Sequence, residues 1–342
     1  MGEKNEEKVM KPPFTITEKM INLIVEITEK ITRVEIEKER NLHLRKTNRI
    51  RSIHSSLAIE QNSLSLEQVT DVINGKLVIG DLEDIREVQN AYQAYGKVFQ
   101  LSPYSVKGFL TAHKLLTQDL LRESGAFRMG DVGVYDAEGK VIHVGARPQY
   151  VNGLISDLFT WAKEATVHEL IKSCVVHFEI EMIHPFPDGN GRMGRLWQNL
   201  ILSQWHPIFE WIPIETIIYA NQQKYYDALG EGDKANDSQV FIEFILDVIS
   251  QTLSDIENQE LSDKLSDILS DKVLDKLNDK EKDFVRKIYP HLKENKEIGN
   301  SKAVQLSDIP SATVRRYLKK LVELEVLTSK GENRNRKYLL KD

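Results

Sequence analysis

Apolar residues recur every three or four positions along most of this chain, and that spacing predicts a mainly helical protein. The first such stretch follows Thr17, which is placed to cap a helix, and its apolar positions are Met20, Ile21, Ile24, Val25, Ile27 and Ile31. Similar spacing predicts helices over residues 42–59, 82–99, 107–121, 150–165 and 167–182, and again after Gly191. These stretches indicate one large helical body.

The pattern changes between residues 127 and 148. The sequence DVGVYDAEGKVIHVGARP has β-branched residues on both sides of an Asp-Ala-Glu-Gly turn at positions 136–139. Such runs around a short polar turn are typical of a β-hairpin. We therefore expect one hairpin, over residues 131–146, in the otherwise helical body.

Residues 261–280 repeat a four-residue unit, LSDK LSDI LSDK VLDK LNDK. Apolar residues at every fourth position form a slowly drifting stripe on a helix, with Asp and Lys on the other faces. Two interpretations stay open: an amphipathic connecting helix, or a linker of biased composition. Either one separates the helical body from a smaller C-terminal unit.

The C-terminal unit, from about residue 283, has the pattern of a winged helix-turn-helix. A short helix, a turn at Ile309 and Pro310 and a longer helix through Val314 and Leu318 precede two short predicted strands around a polar turn. From Phe284 to Asp342 basic residues outnumber acidic ones two to one, and those that could face DNA phosphates are Arg315, Arg316, Lys319, Lys320, Arg334, Arg336 and Lys337. A protein-binding module with a solvated basic face is the alternative.

Composition narrows the class of protein. Apolar content of 41% and charged content of 29% are ordinary for a globular chain, and a net charge of -6 argues against a protein that coats nucleic acid. The single cysteine, Cys174, excludes an internal disulfide and argues against a cysteine-based zinc site. There is no signal-peptide pattern and no run of about 18 apolar residues, so we expect no membrane segment and a cytoplasmic location.

The candidate chemistry concentrates in one stretch, HPFPDGNGRMGR at residues 184–195. Gly189 and Gly191 allow consecutive backbone N–H groups to converge on an anion where the next helix begins. Arg192 and Arg195 are three residues apart, so their guanidinium groups lie on neighbouring faces of that helix and suit a di- or triphosphate. The stretch therefore predicts a phosphate cradle.

The same stretch holds a base and a metal ligand. Asp188 is a hard oxygen ligand where a Mg²⁺ ion bridging phosphates would lie. The unperturbed pKa of a histidine, about 6.5, makes His184 suited to act as a general base near neutral pH. Together these groups could activate a hydroxyl to attack a nucleotide phosphate. We expect Phe186 to anchor the loop in the core, and the histidines expected to be structural are His113, His168 and His177.

HPFPDGNGRMGR matches, at every specified position, the pattern His-Pro-Phe-x-Asp/Glu-Gly-Asn-Gly-Arg-x-x-Arg, and the chain thereby resembles the Fic family. GAFRMGDVGV before the hairpin and NQQKYYDAL at residues 221–229 are also similar to Fic domains. The resemblance implies a mainly α fold, a Fic-type helical bundle with a β-hairpin flap, here followed by the winged helix-turn-helix. We expect an N-terminal helical region at 1–106, a Fic core at 107–250, a helical linker at 251–282 and the winged helix at 283–342.

The resemblance also implies roles for the motif residues. Most Fic proteins similar to this one transfer AMP from ATP to a protein hydroxyl and release pyrophosphate. By motif position, His184 would deprotonate the target Ser, Thr or Tyr, and Asp188 would bind Mg²⁺ on the α- and β-phosphates. Arg192 would hold the middle phosphate and Arg195 the γ-phosphate. The residues that would cradle the phosphates are Gly189, Asn190 and Gly191.

Two further roles follow from the resemblance. The hairpin would be a flap that aligns the target backbone by strand addition. Either Tyr225 or Tyr226 would line the adenine pocket, with a core role as the alternative for both. The implied partners are ATP, a target protein with an accessible hydroxyl and the protein itself, with no membrane partner. The target, the metal preference and the presence of a homo-oligomer stay open.

A second stretch, SLAIEQN at residues 56–62, matches the Ser/Thr-x-x-x-Glu core of an inhibitory motif found in many Fic proteins. Ser56 and Glu60 are the matching residues. A carboxylate paired with Arg195 would occupy the group that binds the γ-phosphate, so ATP would bind unproductively. The family usually has Gly or Asn directly after the Glu, whereas Gln61 follows here, which puts the turn that orients the carboxylate in question. An exposed helix-end role for Glu60 is the alternative.

We therefore expect an autoinhibited protein adenylyltransferase, and three alternatives stay open. The same site could remove AMP from a target, because in some family members the inhibitory Glu positions a water molecule. The donor could differ, since phosphate and phosphocholine transfer also occur in the family. A DNA-binding regulator whose helical body senses nucleotide is the alternative outside the enzymes.

Overall fold

The computed structural model describes residues 11–38, 42–135, 141–266, 269, 271–332 and 336–341. The predicted hairpin turn at 136–139 and Arg334 of the predicted wing lie outside these residues. The chain divides into two compact units, Met1–Ser254 and Asp255–Asp342, and the division falls within one long helix.

The first unit is mainly helical. Its helices are α1 (Glu18–Lys38), α2 (Leu42–Ile59), α3 (Leu66–Ile73), α4 (Leu82–Lys97), α5 (Val106–Thr117), α6 (Pro148–Glu164), α7 (Glu169–Ile183), α8 (Asn190–Trp205), α9 (Ile214–Ala220), α10 (Gln222–Ala235) and, up to Ser254, α11 (Gln239–Ser266). Short 3₁₀ turns occur at Val98–Gln100 and Pro207–Glu210. None of the helices in the described part of the chain has the length and apolar content that a bilayer crossing requires.

Two observed helices differ from the sequence pattern. The stretch predicted over 107–121 ends at Thr117, and Asp119 beyond it takes a left-handed backbone conformation with φ of 61°. The pattern gave no sign of α3. Ser65 and Gln68 nevertheless form a capping box at its start, in which each side chain bonds the other's backbone N–H. That four-residue signature was the local signal for α3.

The α7 and α8 helices form the centre of the first unit, and most residues of both are buried. An aromatic cluster holds their junction in place: the ring of Phe109 lies 5.0 Å from Trp197, 5.2 Å from Phe186 and 5.4 Å from Phe159. Such rings bury large apolar areas and pack in edge-to-face pairs. The loop between α7 and α8 is thus fixed from below by its own buried Phe186, as the sequence predicted.

Strands β1 (Gly133–Tyr135) and β2 (Val141–Val144) run antiparallel, with Gly133 opposite Val144, and are called the β1–β2 pair here. His143 docks this pair onto the helices. Its Nε2 donates to the carbonyl oxygen of Met182 at 2.8 Å, and its Nδ1 lies 3.0 Å from Asp233 Oδ2. The β1–β2 pair therefore lies directly beside the end of α7.

The second unit combines short helices with a three-stranded antiparallel sheet. Its elements are α12 (Asp271–Leu274), α13 (Asp279–Asn295), β3 (Glu297–Gly299), α14 (Asn300–Ser307), α15 (Ser311–Glu323), β4 (Leu327–Lys330) and β5 (Lys337–Leu340). The strand order is β3-β5-β4. The core is built around Phe284, Ile288, Val314 and Leu318, all at most 1% exposed.

The tetrad array is not one continuous helix. Helix α11 ends at Ser266, α12 covers only Asp271–Leu274, and α13 starts anew where Asn278 and Glu281 form a capping box. Leu269 and Leu277 of the array are buried in the core of the second unit. The sequence predicted a linker over 251–282. Two apolar positions of the array serve as core residues, because burial removes their side chains from water. The bounds of the linker stay a prediction.

Candidate functional site

The motif residues occupy the junction of α7 and α8. His184 ends α7 in a left-handed conformation (φ 51°), and Gly189 (φ 81°) caps the start of α8. The amide of Asn190 donates to the carbonyl oxygen of Phe186 and accepts from its N–H, both at 2.9 Å. Asn190 therefore acts through its side chain as an internal brace of the loop. Its backbone N–H and those of the next residues open α8, where a helix has no acceptors of its own for them.

His184 is held in one tautomer. Its Nδ1 donates to the carbonyl oxygen of Glu181 at 3.3 Å, so Nε2 carries the lone pair. Burial lowers the pKa of His184 below its ordinary value of 6.5, while the charge of Glu181 opposes that shift. The imidazole is therefore neutral at physiological pH and can accept a proton at Nε2.

Arg195 is bound by residues at the end of α2. Its Nη2 donates to Glu60 Oε1 at 2.7 Å and to the carbonyl oxygen of Ser56 at 3.0 Å, and its Nε donates to Ser56 Oγ at 3.1 Å. A β-carbon at Gly191 would collide with Glu60 Oε1, so only glycine permits this approach. The two residues singled out in SLAIEQN thus meet the last arginine of the motif across 135 or more positions of sequence.

Gln61 takes the conformation that its place in the turn requires. Its φ is 70°, in the left-handed region that Gly and Asn adopt most readily. The N–H groups of Glu60 and Asn62 both donate to the carbonyl oxygen of Leu57, at 2.9 and 3.1 Å. The departure from the family pattern at Gln61 therefore leaves the turn closed, at the expense of backbone strain in one non-glycine residue.

Arg192 is held by two carboxylates. Nη1 donates to Glu87 Oε1 at 2.6 Å and Nη2 to Asp188 Oδ2 at 2.7 Å, and the arginine side chain is only 5% exposed. The other oxygen of Glu87 accepts from Asn62 Nδ2 at 2.9 Å. Sequence reasoning missed Glu87, because nothing in the spacing of α4 distinguishes it from its exposed neighbours. It links the turn after Glu60 to the motif.

His113 contributes more than packing. Gly125 N–H donates to its Nδ1 at 3.0 Å, so its Nε2 carries the hydrogen and donates to the carbonyl oxygen of Asp188 at 3.1 Å. Burial is the main cause that lowers the pKa of His113 to about 4, so the ring stays neutral. The ring stacks on Phe186 with centroids 3.7 Å apart. The sequence predicted an ordinary structural residue, and the structure assigns it to the support of the motif loop.

The two candidate adenine-pocket tyrosines have different surroundings. Tyr225 is 1% exposed, and its hydroxyl lies 3.1 Å from Nε2 of His177. Tyr226 is 44% exposed and lies beside the end of α2, where its hydroxyl donates to the carbonyl oxygen of Ile59 at 3.4 Å. Only Tyr226 presents part of its ring to solvent next to Glu60.

The basic residues of the second unit fall into separate groups. Lys320 pairs with Glu281 at 2.5 Å, and Lys337 pairs with Glu297 at 3.2 Å. A groove of about 740 Å³ lies between α14, α15 and the strands β4 and β5, and the residues that line it are Asn300, Ser301, Ser311, Arg315, Lys319, Val322, Ser329, Arg336 and Tyr338. Three of these are cationic and none is acidic. Arg316 lies over the ring of Tyr317 at 5.5 Å, in a second groove.

Comparisons of sequence and of structure match this chain to known proteins. The sequence profile of the Fic/DOC family matches residues 103–202. The chain is 35% identical to a Fic family protein from Desulfovibrio desulfuricans G20, whose crystal structure it matches with a TM-score of 0.71 over 97% of this chain and 98% of the other. That match extends over both units.

Curated relatives with named activities are more distant. A probable protein adenylyltransferase of Aquifex aeolicus is 27% identical over 182 residues, which cover 52% of this chain and 53% of the relative. The protein adenylyltransferase fic-1 of Caenorhabditis elegans is 24% identical over 206 residues, 56% of this chain and 38% of the relative. The chain therefore spans about half or less of the length of these relatives.

Proposed function

This chain belongs to the Fic family, and on that premise we propose that it is a protein adenylyltransferase. It would transfer AMP from ATP to a Ser, Thr or Tyr hydroxyl of a target protein, and to itself, and release pyrophosphate. The names of the relatives from A. aeolicus and C. elegans support this activity. The observation that carries the proposal is the neutral His184 with its free Nε2, one loop away from a helix start that bears Arg192 and Arg195.

In the proposed reaction His184 is the general base. Its Nε2 takes the proton of the target hydroxyl as the hydroxyl oxygen attacks the α-phosphorus of ATP. The new O–P bond forms while the bond between the α-phosphorus and the bridging oxygen breaks, and the electron pair leaves with pyrophosphate. The carbonyl oxygen of Glu181 holds the imidazole in the tautomer that this step requires.

The phosphates would be held by the start of α8. The first-turn amides and the positive end of the helix dipole attract an anion. Arg192 and Arg195 supply two planar cations in the same turn, for the β- and γ-phosphates. For the adenine we propose Tyr226, because Tyr225 is too buried to present a face.

Asp188 fits a Mg²⁺ ion that arrives with ATP. Its carboxylate is 60% exposed beside the phosphate cradle. In the described part of the chain no group of three or more His, Cys, Asp or Glu could hold a metal by itself. Mg²⁺ commonly binds one or two carboxylates and completes its shell with phosphate oxygens and water. When bound, the ion would neutralise charge on the phosphates.

We further propose that the enzyme is autoinhibited. Glu60 and Ser56 accept hydrogen bonds from Nη2 and Nε of Arg195, the side chain that would bind the γ-phosphate. The test is incubation of the Glu60→Gly variant, the wild type and the Glu60→Gly/His184→Ala double variant with α-labelled ATP and Mg²⁺. Only the single variant should label itself and lysate proteins strongly. Equal labelling of the single and double variants would contradict transfer through His184.

The reverse activity, AMP removal, is the second candidate at the same site. The side chain of Glu60 is 31% exposed, so its carboxylate is open to the water molecule it would orient. Glu60→Gly protein labelled with α-labelled ATP, then freed of nucleotide and mixed with wild type, should release AMP. Release by wild type but not by Glu60→Gly would favour this activity, and stable label would argue against it.

For the second unit we propose a separate function, the binding of duplex DNA. We take this unit as a winged helix-turn-helix that follows the N-terminal region, the Fic core and the linker. The carboxylate-free lining of the groove with Arg315, Lys319 and Arg336 favours DNA over a protein partner. In the full chain, affinity for a duplex should fall steeply with salt. Arg315→Ala should weaken binding and flatten that dependence, whereas Lys320→Ala should not, because Lys320 pairs with Glu281. No binding at low salt would favour the protein partner.

A further inference from the structure

Arg128 is a buried arginine whose side-chain hydrogen bonds to the described residues all go to backbone carbonyl oxygens. The residue as a whole is only 3% exposed. Nε donates to His184 at 2.6 Å and Nη1 to Gly130 at 2.7 Å, while Nη2 donates to Ala146 and, at 3.3 Å, to Ile183. A planar guanidinium with five donors can serve such a set of acceptors at once, and a lysine ammonium cannot.

The acceptors come from three separate segments. Gly130 precedes β1, Ala146 follows β2, and Ile183 and His184 form the end of α7. Arg128 therefore bridges both ends of the β1–β2 pair to the turn that carries the candidate base. Because the acceptors are backbone atoms, these hydrogen bonds fix the path of the backbone at His184. They also fix the side-chain rotamer of Arg128.

Close packing between the same segments supports this role. Ala146 N–H donates to the carbonyl oxygen of Ile183 at 3.2 Å. A β-carbon at Gly145 would lie 2.9 Å from Nη2 of Arg128 and 3.0 Å from the β-carbon of His184. The glycine leaves room for the guanidinium to lie between the β1–β2 pair and the end of α7.

We propose that Arg128 is a positioning residue for the transfer step, which sets the separation between the β1–β2 pair and His184. The inference rests on the proposed function, in which a target segment lies along the β1–β2 pair and offers its hydroxyl to Nε2 of His184. A displacement of about 1 Å between reacting groups costs about 10²-fold in rate. ATP is held in that proposal by α8, so its affinity does not depend on Arg128.

The test compares Arg128→Ala and Arg128→Lys with an exposed arginine of the preceding segment, Arg122→Ala, all in the Glu60→Gly background. Self-labelling at saturating α-labelled ATP should fall about 100-fold in Arg128→Ala and about 10-fold or more in Arg128→Lys. The Kd for a non-cleavable ATP analogue should stay within about twofold. The proposal would be overturned if the Arg128 variants labelled themselves as fast as Arg122→Ala does. It would also be overturned if their affinity for the ATP analogue fell in proportion to their labelling rate.

A second readout does not depend on AMP transfer. In Arg128→Ala, hydrogen exchange of the backbone amides in β2 and at residues 145 and 146 should speed up at least tenfold, while α8 exchanges as in Arg122→Ala. Unchanged exchange in β2 would overturn the proposed bridge. If the Glu60→Gly parent labels nothing, the proposed function fails. Faster exchange of β2 amides in Arg128→Ala would still show that Arg128 bridges the strands and His184.

Discussion

Arg195 and Glu60 share a 2.7 Å ion pair, yet their side chains are 2% and 31% exposed. The buried guanidinium stays where α8 holds it, and the partly exposed carboxylate at the end of α2 can leave without opening the core. An incoming phosphate would then replace Glu60 without leaving a buried cation unpaired. This asymmetry makes the pair suited to exchange.

Replacing Glu60 with Gly should raise AMP transfer by roughly 10- to 100-fold, because a charge-assisted hydrogen bond contributes about 1.5–3 kcal/mol. Initial rates of self-labelling measure the effect. Arg195→Ala is the informative comparison: it also removes the pair, but it deletes the proposed γ-phosphate ligand, so its rate should stay low. A rate for Glu60→Gly no higher than that of wild type would refute the inhibitory assignment.

Gln61→Gly should stabilise the protein. A non-glycine residue in the left-handed region costs roughly 1–2 kcal/mol, and the exposed Gln61 side chain offers little in return. We expect the thermal unfolding midpoint to rise by a few degrees while labelling stays inhibited. Gln93→Gly, on the exposed face of α4, is the matched control and should lower the midpoint, since glycine weakens a helix interior. A lower midpoint for Gln61→Gly would show that its conformation is not strained.

Glu87→Gln should partly activate the wild-type chain. The substitution removes the charge that holds Arg192 and weakens the tie to Asn62. A loss of about 0.5–1.5 kcal/mol corresponds to a rise of roughly 2- to 10-fold in self-labelling. Glu83→Gln, exposed one turn earlier on α4, should change nothing. Slower labelling by Glu87→Gln would mean that Glu87 holds Arg192 in its working position.

His184→Ala should leave ATP affinity nearly unchanged, since other groups hold the phosphates, and should slow transfer about 10²–10⁴-fold. Equilibrium binding of a non-cleavable ATP analogue and labelling rates, both in the Glu60→Gly background, separate the two effects. His291→Ala, in the second unit, serves as the control. Retained labelling by His184→Ala would remove this residue from the mechanism.

The pH dependence of transfer should reflect the lowered pKa of His184. Burial lowers it, Glu181 opposes the shift, and His143 and Arg128 add to it. A base must be neutral to accept a proton, so the rate of Glu60→Gly should fall to half of its maximum at a pH below 6.5. A rate profile from pH 5 to 8 measures this. An inflection above pH 6.5 would indicate a different base.

Much of the first unit was predictable from local pattern. Helical spacing located α2, α4, α6 and α7 to within a few residues, because the face of a helix that meets the core must be apolar at its own period. The predicted core role of Phe186 is confirmed by its complete burial. The C-terminal end of α5 was not predictable in this way, because it depends on the left-handed backbone of Asp119, which apolar spacing does not reveal.

The sequence by itself determined the family and the chemical inventory of the site, since His184, Asp188 and the two arginines lie within twelve consecutive residues. Only the tertiary structure decided which groups hold them. Glu87 reaches Arg192 across 105 positions and Arg128 reaches His184 across 56. Such partners depend on how helices pack, and packing brings together residues that no spacing along the chain relates. The types of the site residues are therefore local in the sequence, whereas the positions of these residues relative to their partners are a property of the fold.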